Sequence, residues 1–312
     1  MSDNSIIFLK SKDDMIPLID THQHLWDLNE LTLSWIKGTE LMDRSYLMSD
    51  YVKAAADTGI EKTVYMEVNV DPNCIDLEVE LMTQHCKTSD NPMQALVISL
   101  DPMAKSFQND LKQQAANPFV RGVRSVLHTP GTGPGFCLQD DFVAGIQEIG
   151  RAGLIFDICI RPAELSDAVK LAQASPETTF VIDHCGNADP HVVNGDTDLG
   201  SEPNGNPFWH TSVGWKDDMS ALAASPNTVC KLSGIVARAQ AGWNAETLAP
   251  TINHCLDVFG PERVVFGGDW PVCLFGTQLS DWVAAFREII SRRNPQTQKQ
   301  VMHENAQRIY KI

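Results

Sequence analysis

The sequence predicts an α/β protein of the (β/α)8, or TIM, barrel class, distorted and with long loops after strands 1 and 6. Two observations predict this class. Short apolar runs rich in β-branched residues recur eight times along the 312 residues, and runs of this length are typical of buried strands. Segments of helical periodicity separate them, and strict alternation of strand and helix indicates a parallel sheet built from βαβ units. Eight such units in a chain of this length favour a closed barrel over an open sheet.

The predicted elements follow one another in a regular order. The strands are Ile16–Asp20, Lys62–Val68, Ala95–Leu100, Val120–Leu127, Gly153–Ile160, Thr179–Asp183, Val229–Leu232 and Arg263–Gly267. The helices are Ser49–Thr58, Asp76–Lys87, Ala104–Ala115, Asp140–Arg151, Ala163–Ala174, Trp215–Ala224, Ala245–Phe259, Ser280–Arg292 and Thr297–Tyr310. No Gly-x-Gly-x-x-Gly motif follows the first strand, so a dinucleotide-binding sheet lacks its phosphate-binding turn.

Two predicted connections are unusually long, Leu25–Tyr46 after the first strand and Gly186–Thr211 after the sixth. Loops of this length within a compact domain are typical either of lids over a functional site or of disordered segments. Both loops leave the carboxyl end of a strand, where a barrel builds its active site, and this position favours lids.

Composition limits the class of partner. The chain is predicted to form one domain over residues 1–312, with residues 1–14 as a flexible N-terminal extension. Its formal net charge of -16 argues against non-specific binding to nucleic acid or anionic membrane, since both need a basic surface. No apolar run is long enough for a membrane helix. The eight cysteines form no Cys-x-x-Cys pair, and a reducing, cytoplasmic location is expected. A small-molecule substrate is the expected partner, and many barrels bury apolar surface in a homodimer.

Ionisable residues cluster at the carboxyl ends of the predicted strands. His22 and His24 follow the first apolar run, and residues two apart on a strand point to the same side, so their imidazoles are expected to converge. The other candidates along the chain are Glu67, Asn69, Asp101, Arg124, His128, Arg161, Asp183, His184, Lys231, Ser233 and Asp269. Since a barrel enzyme carries its catalytic groups at these ends, the sequence predicts a site there.

Four of these residues suit a metal ion. The imidazoles of His22, His24 and His184 with the Asp269 carboxylate would hold a divalent transition metal such as zinc and leave a position open for water. Glu67 is a further candidate ligand. The alternative is structural: hydrogen-bonded loop histidines and an aspartate that caps a helix.

A second group is predicted to bind substrate. Arg124, Arg161 and Lys231 are cations in an acidic chain, and their donors match carboxylate or hydroxyl oxygens. Structural ion pairs are the alternative for all three. His128 and Trp26 complete the predicted set. The aromatic residues near the strand ends are candidates for pocket walls or for the core: Trp26, Trp209, Trp270 and Phe275.

Five motifs, in order, carry a family resemblance: Ile-Asp-Thr-His-Gln-His-Leu-Trp at 19–26, Gly-Val-Arg at 122–124, Asp-His-Cys-Gly at 183–186, Lys-Leu-Ser-Gly at 231–234 and Phe-Gly-Gly-Asp-Trp-Pro at 266–271. With them the chain resembles the amidohydrolase superfamily from about residue 16 to 310. It looks most like the "amidohydrolase 2" branch, which includes sugar-lactone and 2-pyrone-4,6-dicarboxylate lactonases. The resemblance implies a distorted barrel in which His22, His24, His184 and Asp269 surround the reaction centre and Asp269 acts as general base on a water.

The chain departs from the two-metal pattern of that superfamily. Its fourth strand offers Arg124 and Ser125 in place of a lysine that could be carboxylated, and its fifth ends at Arg161 in place of a histidine. At most one divalent ion, zinc in the first instance, is therefore expected. Some relatives keep the His-x-His pair and work without a metal, so metal-free operation stays open.

The predicted function is hydrolysis of a sugar or dicarboxylic lactone by an activated water, with Asp269 as base and His184 either as a metal ligand or as a donor to the developing oxyanion. One alternative is a metal-dependent decarboxylase of the aminocarboxymuconate-semialdehyde type. Another is a barrel that binds a small ligand without turnover, although such a barrel need not keep a water-activating set of residues.

Overall fold

Eight parallel strands follow one another around a single sheet in chain order in the computed structural model, which describes residues 15–203 and 205–312. The strands are β1 (Leu18–Gln23), β2 (Ile60–Met66), β3 (Met93–Ser99), β4 (Val120–Val126), β5 (Ile155–Cys159), β6 (Phe180–Ile182), β7 (Thr228–Leu232) and β8 (Val264–Phe266). They form a nearly closed barrel, which confirms the predicted (β/α)8 class. The predicted extension at residues 1–14 lies outside the described residues.

Helices lie between the strands and cover the outside of the sheet. They are α1 (Met48–Ala54), α2 (Ile75–Cys86), α3 (Phe107–Ala115), α4 (Asp140–Arg151), α5 (Leu165–Ala174), α6 (Pro190–Asn194), α7 (Ser212–Ala224), α8 (Ala245–Phe259), α9 (Leu279–Ile290), α10 (Pro295–Lys299) and α11 (Asn305–Tyr310). The helices α4 and α8 have the predicted bounds. None of the helices in the described part of the chain has the length and apolarity needed to cross a membrane.

Helix α4 shows why sequence pattern and structure agree for the outer helices. Phe142, Ile146 and Ile149 recur at helical spacing and are buried against the sheet. Two aspartates occupy its first turn and Arg151 its last, which complements the partial charges of the helix ends. The final segment differs from its prediction, because a π-helical stretch at Gln300–Glu304 separates α10 from α11.

Two apolar layers hold the barrel together. Side chains alternate along each strand, so that on β2 Val64 and Met66 belong to the barrel interior while Tyr65 packs outside against the helices. The interior cluster includes Ile309 and Tyr310 of α11, which are buried against the inward-facing strand residues. Tyr310 is fully buried and its hydroxyl lies 3.3 Å from the Asp157 carboxylate.

The barrel closes through β1 and the segment after β8. The backbone N–H of Asp269 donates to His22 O at 2.8 Å, and that of His24 donates to Trp270 O at 2.9 Å. This pairing extends β1 to Gln23, beyond the apolar run that ended the predicted strand at Asp20. The register of β1 against β2 shifts between Asp20 and Gln23, so the barrel is also distorted on the other side of β1.

The Asp20 carboxylate fastens the same seam. It is fully buried and accepts hydrogen bonds from the backbone N–H of Gly268 at 2.7 Å, from that of His22 at 2.9 Å, and from the Tyr51 hydroxyl at 2.7 Å. One side chain therefore joins β1, the segment after β8 and helix α1.

The two long loops contain some regular structure. After β1 the chain forms a 3-10 turn at Ser34–Ile36, and Trp26 pairs with Tyr46 through two backbone hydrogen bonds of 3.0 and 2.8 Å. After β6 it forms α6. Both loops lie at the carboxyl ends of their strands, on the face where the cavity opens.

Removal of the Asp20 carboxylate should destabilise the closing seam. In Asp20→Ala two buried backbone N–H groups and the Tyr51 hydroxyl lose their acceptor, so we expect the free energy of unfolding to fall by about 3 kcal/mol or more. Tyr51→Phe removes one donor and should cost about 1 kcal/mol. Urea unfolding measures both, and equal losses in the two variants would contradict the proposed role of Asp20.

Candidate active site

A cavity of about 500 Å³ opens at the carboxyl ends of the strands. Its inner wall includes His24, Arg124, His184 and Asp269, contributed by different strand ends. The aromatic side chains at its mouth, Trp35 and Phe275, are 44% and 50% exposed. Of the polar residues predicted from the sequence, His128 also lines the wall. A cavity of this size suits a small organic molecule.

The Asp269 carboxylate lies at the centre of the predicted constellation. One of its oxygens, Oδ1, is 3.6 Å from His22 Nε2 and 3.4 Å from His24 Nε2. The other, Oδ2, is 4.0 Å from His184 Nδ1. The ring centroid of His22 is 4.7 Å from that of His24 and 4.6 Å from that of His184. The structure thus brings together the four residues that the sequence predicts as metal ligands.

Unusual backbone conformations place two of these residues. Asp269 has a φ of 54°, and His184 begins a turn of four left-handed residues that ends at Asn187, with φ values of 57°, 52°, 65° and 59°. A left-handed conformation costs a residue other than glycine roughly 1–2 kcal/mol. Such strain persists where the surrounding structure enforces it, and it concentrates at functional sites.

Gly234 lets the chain after β7 approach His184 closely. A Cβ at this position would lie 2.4 Å from His184 Nδ1, and the residue has a φ of +68°. The preceding residue, Ser233, places its hydroxyl oxygen 2.9 Å from the same nitrogen. Glycine and serine together therefore fix the plane of the His184 ring.

Hydrogen bonds also orient the other two imidazoles. His24 Nδ1 donates to the Met66 carbonyl at 2.9 Å, which leaves the lone pair of Nε2 directed to the site. His22 Nδ1 lies 3.5 Å from Asp183 Oδ1 and 3.3 Å from Lys231 Nζ. His22 Nε2 is buried and has no hydrogen-bond partner among the described residues.

The imidazoles of His22 and His184 are held in the neutral form. Burial, and then the charge of Lys231, holds the pKa of His22 well below its usual value. Burial, and then the neighbouring His22, holds the pKa of His184 well below its usual value. Neutral imidazole is the form that binds a metal ion and that accepts a proton.

These residues fit a single divalent ion. Donor atoms of His22, His184 and Asp269 all lie within 4.8 Å of one another, and His24 Nε2 contacts the same carboxylate. The buried Nε2 of His22 has Asp269 Oδ1 3.6 Å away and forms no hydrogen bond with any described residue. Three nitrogens and one carboxylate oxygen match zinc, and the carbonyl bonded to His24 Nδ1 is a common outer partner of a metal-binding histidine.

A chain of buried charges lies beneath the histidines. Lys231 is fully buried, forms a close ion pair with Asp157 and lies 3.0 Å from Asp183 Oδ1. Arg124 continues the chain, with Nε 3.1 Å from Asp183 Oδ2 and Nη1 3.2 Å from Glu67 Oε1. Although burial acts to raise it, Lys231 and Arg124 hold the pKa of Asp183 below its ordinary value.

The cavity wall does not include four of the residues predicted to bind substrate or metal, namely Lys231, Arg161, Trp26 and Glu67. Lys231 faces the two aspartates of the buried chain, and Arg161 donates to the carbonyls of Leu127 and Thr129 at 2.8 and 2.7 Å and pairs with Glu164. Trp26 is fully buried in an aromatic cluster with Trp35 and Tyr46. The oxygens of Glu67 contact Arg124 and the backbone N–H of Asn69. All four side chains contact other groups of the protein.

Sequence reasoning missed several residues of the site. Asp20 resembles an ordinary end of an apolar strand, and two of its three donors, Gly268 and Tyr51, come from distant segments. Arg238 and Phe208 line the cavity from the loops after β7 and β6. In the sequence, Arg238 could have been noticed as a single cationic residue directly after the apolar run Ile-Val-Ala, which follows the Lys-Leu-Ser-Gly motif at the end of the seventh strand.

Comparison with known proteins shows the family. The amidohydrolase model, Amidohydro_2, matches residues 19–312. An L-fucono-1,5-lactonase from Burkholderia ambifaria is 27% identical over 305 residues, which cover 94% of this chain and 95% of that protein. An L-rhamnono-gamma-lactonase from Scheffersomyces stipitis is 20% identical over 95% of this chain and 98% of that protein. The fold also matches a crystal structure of an amidohydrolase from Burkholderia multivorans with bound zinc, with a TM-score of 0.79, 24% identity, and coverage of 95% of this chain and 99% of that one. The family match confirms the resemblance drawn from the motifs.

Loss of the Lys231 charge should lower the free energy of unfolding. Lys231→Met leaves Asp157 and Asp183 without their shared cation, and breaking a buried pair in this way costs about 3–5 kcal/mol. The matched control is Lys170→Met, because Lys170 is exposed and pairs with Asp167 on α5, and surface pairs contribute about 0–1 kcal/mol. Urea unfolding at neutral pH distinguishes the two, and equal effects would contradict a buried structural pair.

His128 should make the fold sensitive to acid. Burial, and then Arg124 and Arg238, lowers the pKa of His128 to about 4. Between the unfolded pKa of about 6.5 and this value, the unfolded chain binds more protons than the folded one, so stability is lost as pH falls through this window. Wild type should therefore lose more stability between pH 7 and 5 than His128→Asn. Urea unfolding and NMR titration of His128 test this, and titration near its ordinary pKa would contradict it.

Proposed function

Since the chain belongs to the amidohydrolase family, we propose that it is a lactonase, which opens the cyclic ester of a small lactone by attack of water. The observation that carries this proposal is the Asp269 carboxylate, which faces three imidazoles at the base of a cavity of about 500 Å³. The likeness to proteins named for L-fucono-1,5-lactone and L-rhamnono-gamma-lactone supports the reaction type.

Asp269 is proposed to accept a proton from the attacking water. Its backbone N–H is bonded to His22 O, and its neighbour Gly268 is bonded to Asp20, so the carboxylate has a fixed position at the strand end. A general base held in this way contributes about 10²–10⁴-fold to the rate. The water oxygen bonds to the lactone carbonyl carbon, and the carbonyl oxygen becomes an oxyanion. When the ring C–O bond breaks, the protonated Asp269 returns the proton to the departing alkoxide, and a hydroxy acid is formed.

In the site without a metal, His184 is proposed to stabilise the oxyanion, whereas with a metal bound it would be a ligand. If the Ser233 hydroxyl donates to His184 Nδ1, which lies 2.9 Å away, the ring proton resides on Nε2 and can be donated to the developing charge. Donors that are fixed before the reaction stabilise an oxyanion with little reorganisation. Gly234 maintains this orientation of the ring, because a side chain there would meet it.

The metal-binding set is proposed to be His22, His24, His184 and Asp269, with one zinc ion. When bound, the ion would polarise the lactone carbonyl or lower the pKa of the attacking water. His22 Nδ1 lies 3.3 Å from Lys231 Nζ and 3.5 Å from Asp183 Oδ1, and binding of the ion through Nε2 requires the tautomer with its proton on Nδ1. With no metal, the Nε2 lone pairs of the His-x-His pair would accept hydrogen bonds from the attacking water or from hydroxyl groups of the lactone.

The remaining wall residues are proposed to hold the ring. Val68, Val272 and the exposed aromatics Trp35 and Phe275 provide apolar faces. The side chains of Asn69 and His128 supply hydrogen-bonding groups at separate places on the wall. A mostly apolar lining with a few polar groups is typical of small-molecule sites.

Asp269→Asn should lower kcat/KM for lactone hydrolysis by about 10²–10⁴-fold, because the amide cannot accept the water proton. A pH-indicator assay on protein of measured metal content, over a panel of aldonolactones and pyrone carboxylates, gives the rates. Asp257→Asn is the matched control, since Asp257 pairs with Arg293 on the surface. Full activity in Asp269→Asn would exclude this residue as the base. Release of carbon dioxide from a carboxymuconate-type acid, without opening of any lactone, would establish the decarboxylase alternative.

A further inference from the structure

We propose that three cysteines outside the active site form a binding site for a soft monovalent metal ion, copper(I). They are Cys185 in the left-handed turn after β6, Cys230 on β7 and Cys255 on α8. Their sulfur atoms all lie within 4.8 Å of one another, and the three residues are called the cysteine cluster below. Neither the proposed hydrolysis nor the proposed zinc ligands use these thiols, so the inference does not depend on that function.

The cysteine cluster lies between the sheet and the outer helices. All three side chains are fully buried and belong to the apolar layer that packs the helices onto the strands. Their chain neighbours serve the other side: His184 lines the cavity, and Lys231 pairs with the buried aspartates. On β7 this follows from the alternation of side chains along a strand. The cluster is therefore a separate group from the residues around Asp269.

The separations suit three sulfur atoms around one ion. With metal–sulfur bonds of about 2.3 Å, three ligands in a trigonal arrangement lie about 4.0 Å apart, so the cluster needs only a small contraction to close on an ion. The alternative is core packing, because free cysteine also behaves as a small buried apolar residue. Cys74 and Cys137 are buried cysteines of that kind, and they belong to no such group among the described residues.

The donor set favours copper(I). Thiolate and thioether ligands select soft ions, whereas zinc in structural sites takes four ligands from cysteine, histidine or carboxylate side chains. The cluster provides three thiols, and their complete burial leaves no exposed position for water. A further sulfur lies beside the same turn, because a Cβ on Gly186 would be 2.9 Å from Met219 Sδ. Sulfur alone surrounds the ion in this arrangement, which an ion of low coordination number accepts.

Binding of the ion exchanges weak contacts for metal–sulfur bonds. The Cys185 thiol donates to the Lys231 carbonyl oxygen at 3.8 Å, and a thiol is a weak hydrogen-bond donor. The protons of the thiols that bind as thiolates leave to solvent when the ion enters. Little hydrogen bonding is therefore lost when the cluster is occupied.

Copper retention tests the site in two preparations of the wild-type protein. One is produced in cells grown with added copper, so that the ion is present while the chain folds and burial of the thiols does not block its entry. The other is the purified, reduced protein mixed without oxygen with Cu(I) held by a chromophoric chelator. At least the first should retain one copper ion per chain through gel filtration. Copper well below one ion per chain in both preparations would overturn the site.

X-ray absorption at the copper edge identifies the ligands. The spectrum should show sulfur atoms alone around copper, at about 2.3 Å. Nitrogen neighbours would assign the ion to the imidazoles of the active site and would overturn the proposal. The result is independent of lactone turnover.

Variants on β7 and α8 leave the turn that carries His184 unchanged. Cys230→Ala and Cys255→Ala each remove one of the three sulfurs and should lose the bound copper. The matched control is Cys137→Ala, because Cys137 is buried outside the cluster, and this variant should keep the ion. His24→Ala, which removes an imidazole of the proposed zinc set, should also keep it. Thermal unfolding verifies that the compared variants are folded. Equal copper content in all four would show that the cluster is core packing only.

Discussion

The buried chain of charges from Asp157 through Lys231, Asp183 and Arg124 to Glu67 is the constraint on which the site depends. Each member comes from a different strand or strand end, so the partners meet only when the barrel has formed. Buried ion pairs contribute little net stability, because desolvation offsets their attraction, but an isolated member is strongly destabilising. The network therefore penalises any barrel in which the strands are misaligned. It also places Lys231 and Asp183 beside Nδ1 of His22, and the charge of Lys231 adds to burial in lowering the pKa of that imidazole.

The residues with strained backbone conformations lie directly after two of the strands, in segments that hydrogen bonds hold in place. The left-handed turn from His184 to Asn187 and the left-handed Asp269 both follow short strands of three residues. After these strands the chain is held by hydrogen bonds to other segments, such as those of Asp20 to Gly268 and of Asn187 to Ile160. Because the framework over-determines these residues, their strained conformations can persist. The result is a carboxylate and an imidazole that need little rearrangement before reaction.

The alternation of apolar runs was sufficient to predict the barrel, because it arises from local periodicity that each strand and helix carries by itself. The convergence of His22 and His24 was predictable for the same reason. The extension of β1 to Gln23 was not, since the segment that pairs with it follows β8 and lies more than two hundred residues away. For Lys231 the sequence left substrate binding and structural pairing open. Its partners come from other strands, and only the folded arrangement shows that both sides of the ammonium group face aspartates.

Strands and loops contribute different groups to the site. The reacting groups and the buried charges lie on strands or directly after them, where the barrel fixes their positions. The polar residues proposed to hold the ring, Asn69 and His128, lie on the loops beyond the strand ends. Loops can change without disturbing the packed core. Two chains could then share the base, the imidazoles and the barrel while their loops select different lactones.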